Sequence, residues 1–227
     1  MTTPSGAEAR TVTRPVELRA DNPTGPVAAG YAAVFGRRSS DLGGFTEVIS
    51  PTAFDRSISQ GADVVALWNH HERDLLGRVA SGTLRLSVDD VGLRYEVSLP
   101  DTDVGRNITE LLRRGDVRGS SFAFRTVADS WYEDPDDGAI TRTLDEVALI
   151  DVSPVTRPAY PDTTAALRSL ATHLGREVEA VTAAATSGEL RSLFSGLDST
   201  GTGSTESGDD ARNPTTVVRP KHSALLA

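Results

Sequence analysis

Apolar and polar residues alternate most clearly where Leu84, Leu86 and Val88 interleave with Arg85 and Ser87. The turn-forming stretch Asp89-Asp90-Val91-Gly92 follows, and then Leu93, Tyr95, Val97 and Leu99 interleave with Arg94, Glu96 and Ser98. Two period-2 runs joined by an Asp/Gly turn predict a β-hairpin with one buried face. A second hairpin is predicted around Asp136-Asp137-Gly138, with Trp131 before it and Ile140 after it. Between the two, the period changes to that of a helix. Val104, Ile108, Leu111 and Leu112 form its apolar stripe, Asp101 or Thr102 can cap its start, and Gly115 can end it in the left-handed conformation. A weaker helix is predicted from Pro51 to Ile58, where Phe54 and Ile58 stand four apart.

From about Val12 to Tyr160 the chain therefore reads as β-rich, with one or two helices laid over short strands: an antiparallel barrel or sandwich of the α+β kind. From Asp162 the texture changes. Leu167, Leu170, Leu174, Val178 and Val181 recur at helical spacing, with interruptions expected near Gly175 or Gly188. After Leu197 the stretch DSTGTGSTESGDDARNPTT carries too little apolar surface to offset its ordering entropy. The expected organisation is a flexible N-terminus over 1–11, a β-rich domain over 12–161, a helical extension over 162–197 and a disordered tail over 198–227.

Composition narrows the classes of function. The 227 residues suit one domain with an appendage, and hydrophobic residues at 38% with aromatics at 5% agree with part of the chain being unfolded. No apolar run approaches the ~20 residues needed to span a bilayer. The start, MTTPSGAEAR, lacks the blocks of a signal peptide, which places the protein in a cytoplasm-like compartment. A net charge of -9 argues against a broad duplex-binding surface. The absence of cysteine removes disulfides, thiolate metal sites and a cysteine nucleophile together. An imidazole base has four candidates: His70, His71, His173 and His222.

Three segments could carry chemistry. In Leu67-Trp68-Asn69-His70-His71 the histidines fall where the apolar run Val64-Val65-Ala66-Leu67 ends, and a neutral imidazole there can shuttle a proton near neutral pH. They could equally be polar loop residues. A metal site from His70, His71, Glu72 and Asp74 is disfavoured, because adjacent residues of an extended chain point to opposite faces.

In Gly119-Ser120-Ser121-Phe122-Ala123-Phe124, a strand would place Ser121 among small residues on one face and the phenylalanines on the other. Ser121 could then be a nucleophile, given a base beside it; an ordinary strand containing serines is the plainer alternative. The segment is not a Gly-x-Ser-x-Gly elbow. In the third segment, Leu149 to Tyr160, Asp151 interrupts an apolar stretch, where a carboxylate needs a partner. It could orient His70, or pair structurally with Arg157 or Arg78, either of which could instead steady an oxyanion.

In order and spacing these segments resemble the prohead maturation proteases of tailed bacteriophages, distant relatives of the herpesvirus assembly proteases. The resemblance runs from about Gly30 to Tyr160. It takes in Gly30-Tyr31-Ala32-Ala33-Val34-Phe35, Phe45 to Pro51 with Ala53-Phe54, Asn69-His70, Leu76-Gly77-Arg78, Gly92-Leu93, Gly119 to Phe124, and Asp151-Val152-Ser153 through Arg157-Pro158-Ala159. It implies that His70 is the base and Ser121 the nucleophile, in preference to His71 and Ser120. The third member is expected at Asp151, where the family usually shows Glu. The herpesvirus relatives use a second histidine there, and neither His173 nor His222 sits in a matching segment.

The implied fold is an antiparallel β-barrel flanked by helices. The implied function is a serine endopeptidase acting inside the assembling prohead in the host cytoplasm. Its implied substrates are the major capsid protein, scaffolding segments and itself, with no cofactor and with a homodimer admitted. A non-enzymatic scaffolding module and a hydrolase of small esters or amides are the competing readings.

Overall fold

The computed structural model describes residues 6–20, 22–23, 25–157 and 163–194. The predicted tail over 198–227, His222 and the motif residues Pro158, Ala159 and Tyr160 lie outside them. The strands are β1 (Glu8–Val12), β2 (Glu17–Arg19), β3 (Val27–Val34), β4 (Thr46–Ile49), β5 (Val65–Trp68), β6 (His71–Arg78), β7 (Leu84–Val88), β8 (Gly92–Ser98), β9 (Gly119–Glu133) and β10 (Ile140–Val155). The helices are α1 (Asp55–Ser59), α2 (Asp103–Arg114), α3 (Thr164–Leu174), α4 (Val178–Ser187) and α5 (Leu190–Phe194).

Both predicted hairpins form. β7 and β8 pair antiparallel from Leu84 opposite Val97 to Val88 opposite Leu93. Their turn is held by the Asp89 carboxylate, which accepts from the N–H groups of Val91 and Gly92 at 2.8 and 3.1 Å. β9 and β10 make the long second hairpin around Gly138, whose φ of 66° suits glycine. Helix α2 starts at a Thr102 cap, whose Oγ1 accepts from the Gly105 N–H, and ends at Gly115 with φ 76°. It buries Ile108 and Leu112. The predicted Pro51–Ile58 helix shrinks to α1, preceded by a turn over 51–54.

The strands form two sheets instead of the expected closed antiparallel barrel. One sheet runs β1-β9-β10-β5-β6, with β4 also paired to β10; the other runs β2-β3-β8-β7. The first sheet is mixed, because β4 and β5 both lie parallel to β10. It ends in β1 on one side and β6 on the other, so among the described strands it does not close on itself. The inner faces of both sheets meet in one core, where Phe122, Phe124 and Val152 of the first sheet join Ala28, Leu93, Tyr95 and Val97 of the second. About 25 cal/mol per Å2 of apolar surface removed from water stabilises this packing.

Residues 8–12, expected within or beside a flexible terminus, form an edge strand instead. Glu8 and Arg10 are buried in an ion network that composition alone did not announce. Arg10 bonds Glu8 at 2.7 Å and Glu47 at 2.7 Å, and Arg142 bonds Glu8 at 2.8 Å, Glu47 at 3.0 Å and Asp129 at 2.6 Å. Burial alone would push the Glu8 carboxyl up, but the Arg142 and Arg10 guanidiniums more than offset this and hold it below its usual range. The helical extension is three short helices, the first two ended at Gly175 and Gly188, both in the left-handed conformation. It covers a second cluster in which Leu42, Phe45, Trp131 and Ile140 meet Leu167, Leu170, Val181 and Leu190.

Candidate active site

Register decides which side chains share a face. Phe122 and Phe124 point into the core, and so does Ser120, whose Oγ lies 2.9 Å from the Tyr95 hydroxyl. Gly30 leaves room for that pair, since a Cβ there would lie 3.1 Å from the Tyr95 oxygen and 3.2 Å from Ser120 Oγ. Ser121 and Ala123 therefore occupy the other face of β9.

On β10 the parity changes partway along. Val147 and Leu149 belong to the core, yet so does Val152, an odd number of residues further on. The register irregularity between Leu149 and Asp151 accounts for this. Leu149 stands opposite Phe124 and Asp151 opposite Ala123, so Ile150 is an extra residue on its strand. A β-bulge of this kind flips every side chain beyond it to the other face. Asp151 and Ser153 are thereby turned out of the apolar core onto the face of Ser121, and Ser153 stands directly opposite Ser121.

His70 reaches the same place from a tight turn. Trp68 of β5 pairs with His71 of β6, leaving Asn69 and His70 as a two-residue loop with φ of 52° and 59°. Positive φ at both central residues marks the hairpin turn whose twist matches its strands, and the second position favours glycine. A histidine there costs about 1–2 kcal/mol, so the turn must be held by its surroundings. It is held. The Asn69 N–H donates to the Pro154 carbonyl at 3.2 Å, Asn69 Oδ1 accepts from the Thr156 N–H at 3.0 Å, and the His70 N–H donates to Ser153 Oγ at 3.3 Å.

The structure brings His70 and Asp151 into contact: His70 Nδ1 lies 2.6 Å from Asp151 Oδ1. An ionised carboxylate only accepts, so opposite it Nδ1 is the donor, and in a neutral imidazole so held Nε2 keeps its lone pair. Nε2 is buried and has no hydrogen-bond partner among the described residues. The Ser153 hydroxyl donates to the same Asp151 oxygen at 2.8 Å. Ser121 is not bonded to the imidazole; its hydroxyl donates to the Arg10 carbonyl of β1 at 2.8 Å. Exposure is 0% for Ser121, 4% for His70, 3% for Asp151 and 0% for Ser153, so the cluster is closed to water.

Other candidates separate from this cluster. His71 is an exposed residue of β6, and His173 packs near Phe194. Arg78 pairs with Asp63 at 2.8 Å, and Arg157 is exposed, so among the described residues Asp151 takes a histidine and a serine as partners in place of an arginine. The contributions of Ser153, Asn69 and Thr156 were not assigned from sequence. The unfavourable histidine in an Asn-x hairpin loop is the signal that could have found the turn.

The structure of the bacteriophage T4 capsid assembly protease, gp21, is similar to this chain with a TM-score of 0.48 and 12% identity, over 67% of this chain and 98% of that one. No curated protein matches the chain. A family model described as caudovirus prohead serine protease matches residues 14–176, well over half of the sequence. The chain belongs to the caudovirus prohead serine protease family.

Proposed function

We propose that this prohead protease is a serine endopeptidase of phage capsid maturation, with Ser121 as nucleophile, His70 as general base and Asp151 as the group that orients His70. The observation that carries the reading is the buried imidazole itself. Its Nδ1 is fixed by a carboxylate, its Nε2 is free to accept a proton, and a serine hydroxyl stands on the same sheet face. Residues directly opposite in an antiparallel pair have Cβ atoms about 4.5–5.5 Å apart, so Ser121 lies one side chain beyond Ser153.

Attack requires Ser121 to rotate about its Cα–Cβ bond, exchanging the Arg10 carbonyl for His70 Nε2. The serine proton then passes to Nε2 as Oγ bonds to the scissile carbonyl carbon. The resulting imidazolium, stabilised by Asp151, returns that proton to the leaving amine. Water repeats the sequence and releases the acyl group. Because the cluster is buried, the face over Ser121 has to open before a peptide can enter. The proposed substrates are scaffolding segments, the capsid protein and the chain itself, cleaved within the assembling prohead; membership of a prohead protease family supports this reading.

The test is incubation of the purified chain with its cognate capsid protein, followed by intact mass. Ser121→Ala and His70→Ala should each lower cleavage by at least about 10^3-fold while leaving circular dichroism unchanged. Full activity in either variant ends the assignment. If the native chain leaves the capsid protein intact, a scaffolding role is what survives. Trimming of the protease that persists in Ser121→Ala would rule out self-cleavage by this serine.

A further inference from the structure

We propose that Ser153 is a positioning residue of the site, one that fixes both the ring and the backbone of His70 and tempers the basicity of the imidazole. The proposal rests on the catalytic reading of His70 and Asp151.

A hydroxyl has one proton to donate and lone pairs to accept with. Ser153, fully buried, donates its proton to Asp151 Oδ1 at 2.8 Å and accepts the His70 N–H at 3.3 Å. These contacts do different things. The accepted N–H pins the backbone of a residue held at φ 59°, a conformation histidine does not favour on its own. The donated proton goes to the same carboxylate oxygen that holds His70 Nδ1. An oxygen sharing its charge between two donors attracts each less strongly. Ser153 therefore limits how far Asp151 stabilises the imidazolium, and it prevents the carboxylate from rotating away from the ring.

Packing alone does not account for a serine here. Val152 and Val155 nearby are apolar and buried, and a strand position with no exposure ordinarily takes such a residue. The β-bulge before Asp151 delivers both residues to one face together, so the carboxylate and its restraining hydroxyl come as a unit. Among the described residues, the charged group bonded to the imidazole is Asp151, which leaves Ser153 as the neutral group able to tune that pair.

Two measurements on the full chain test this. In the first, the His70 ring is titrated by NMR in the native chain and in Ser153→Ala, Ser153→Cys and Ser153→Thr. Cysteine fills the same space with a weak donor, whereas threonine keeps the hydroxyl. In the second, the rate at which a fluorophosphonate labels Ser121 is followed across pH.

Loss of the hydroxyl should raise the His70 midpoint by about half a pH unit or more. It should also slow labelling at the plateau roughly tenfold, far less than the loss of about 10^3-fold or more expected from removing the base itself. Ser153→Thr should return both values toward native. Should Ser153→Ala not fold, the cysteine and threonine variants decide the matter between them. A His70 midpoint that stays put or falls in the variants lacking the hydroxyl overturns the proposal. If the native chain resists labelling and also leaves the cognate capsid protein intact while the NMR midpoints still move as expected, the protease reading fails and the positioning of His70 by Ser153 stands.

Discussion

At the scale of single residues, the turn that presents His70 sets two requirements against each other. The hairpin geometry asks for glycine-like freedom at both loop positions, whereas the site asks for an imidazole at the second. Asn69 reconciles them, since asparagine tolerates positive φ and its side chain accepts from both the N–H and the hydroxyl of Thr156. Asn69→Ala removes those bonds and adds steric strain, for an expected loss of about 2 kcal/mol. Asn69→Gly removes the bonds while keeping the conformational freedom, and should lose about half as much. Urea unfolding of both variants checks the order. Equal losses would mean that backbone strain plays no part in holding the turn. The pattern Leu67-Trp68-Asn69-His70 showed where the strand ends, but a two-residue loop stapled to another strand depends on Ser153 and Thr156, more than eighty residues away.

At the scale of elements, β1 and β10 show what the hydrophobic pattern could not reveal. Alternation along β10 breaks at Ile150, and in the sequence Asp151 reads as a carboxylate inside an apolar stretch. The bulge resolves the contradiction, yet a bulge is known only from its partner strand. β1 is obscured for a different reason. Its Glu8 and Arg10 look like solvated polar residues until Glu47 and Arg142 from two other strands surround them.

That network makes an acid-dependent prediction. The folded Glu8 carboxyl titrates below its ordinary value of 4.5, so the stability it contributes is complete above that pH. It is lost as pH falls through the lower, folded value. Arg142→Met leaves Glu8 and Glu47 with Arg10 and leaves Asp129 with only the neutral Ser169 hydroxyl, and should cost about 3–5 kcal/mol at neutral pH. The gap between native and variant should narrow steadily below pH 4.5, because protonation removes from the native protein what the substitution has already removed. Urea midpoints from pH 3 to pH 7 measure it. A gap that is constant across that range would show that Arg142 acts through packing, including its position over the Trp131 ring, and not through charge.

At the scale of the whole molecule, the helical extension behaves as a cover for the far end of the second hairpin. Composition turns helical near residue 162, and α3 starts at Thr164. The packing crosses that boundary. Phe45 and Trp131, from the β-rich part, meet edge to face with centroids 5.0 Å apart, and α3 to α5 close over them. Ser169 of α3 also donates to Asp129, tying the helix to the same carboxylate that Arg142 holds. A chain ending at residue 163 would expose Leu42, Phe45, Trp131 and Ile140 together, a contiguous apolar patch of the kind soluble monomers avoid. We therefore expect the truncated chain to bind a hydrophobic dye, and to unfold well below the native midpoint or to aggregate. In the intact chain, calorimetry should give one cooperative transition, because neither cluster is complete without residues from the hairpin they share. Two separate transitions, or a truncated chain that unfolds at the native midpoint, would show that the extension folds on its own and that the sheets keep their stability without it.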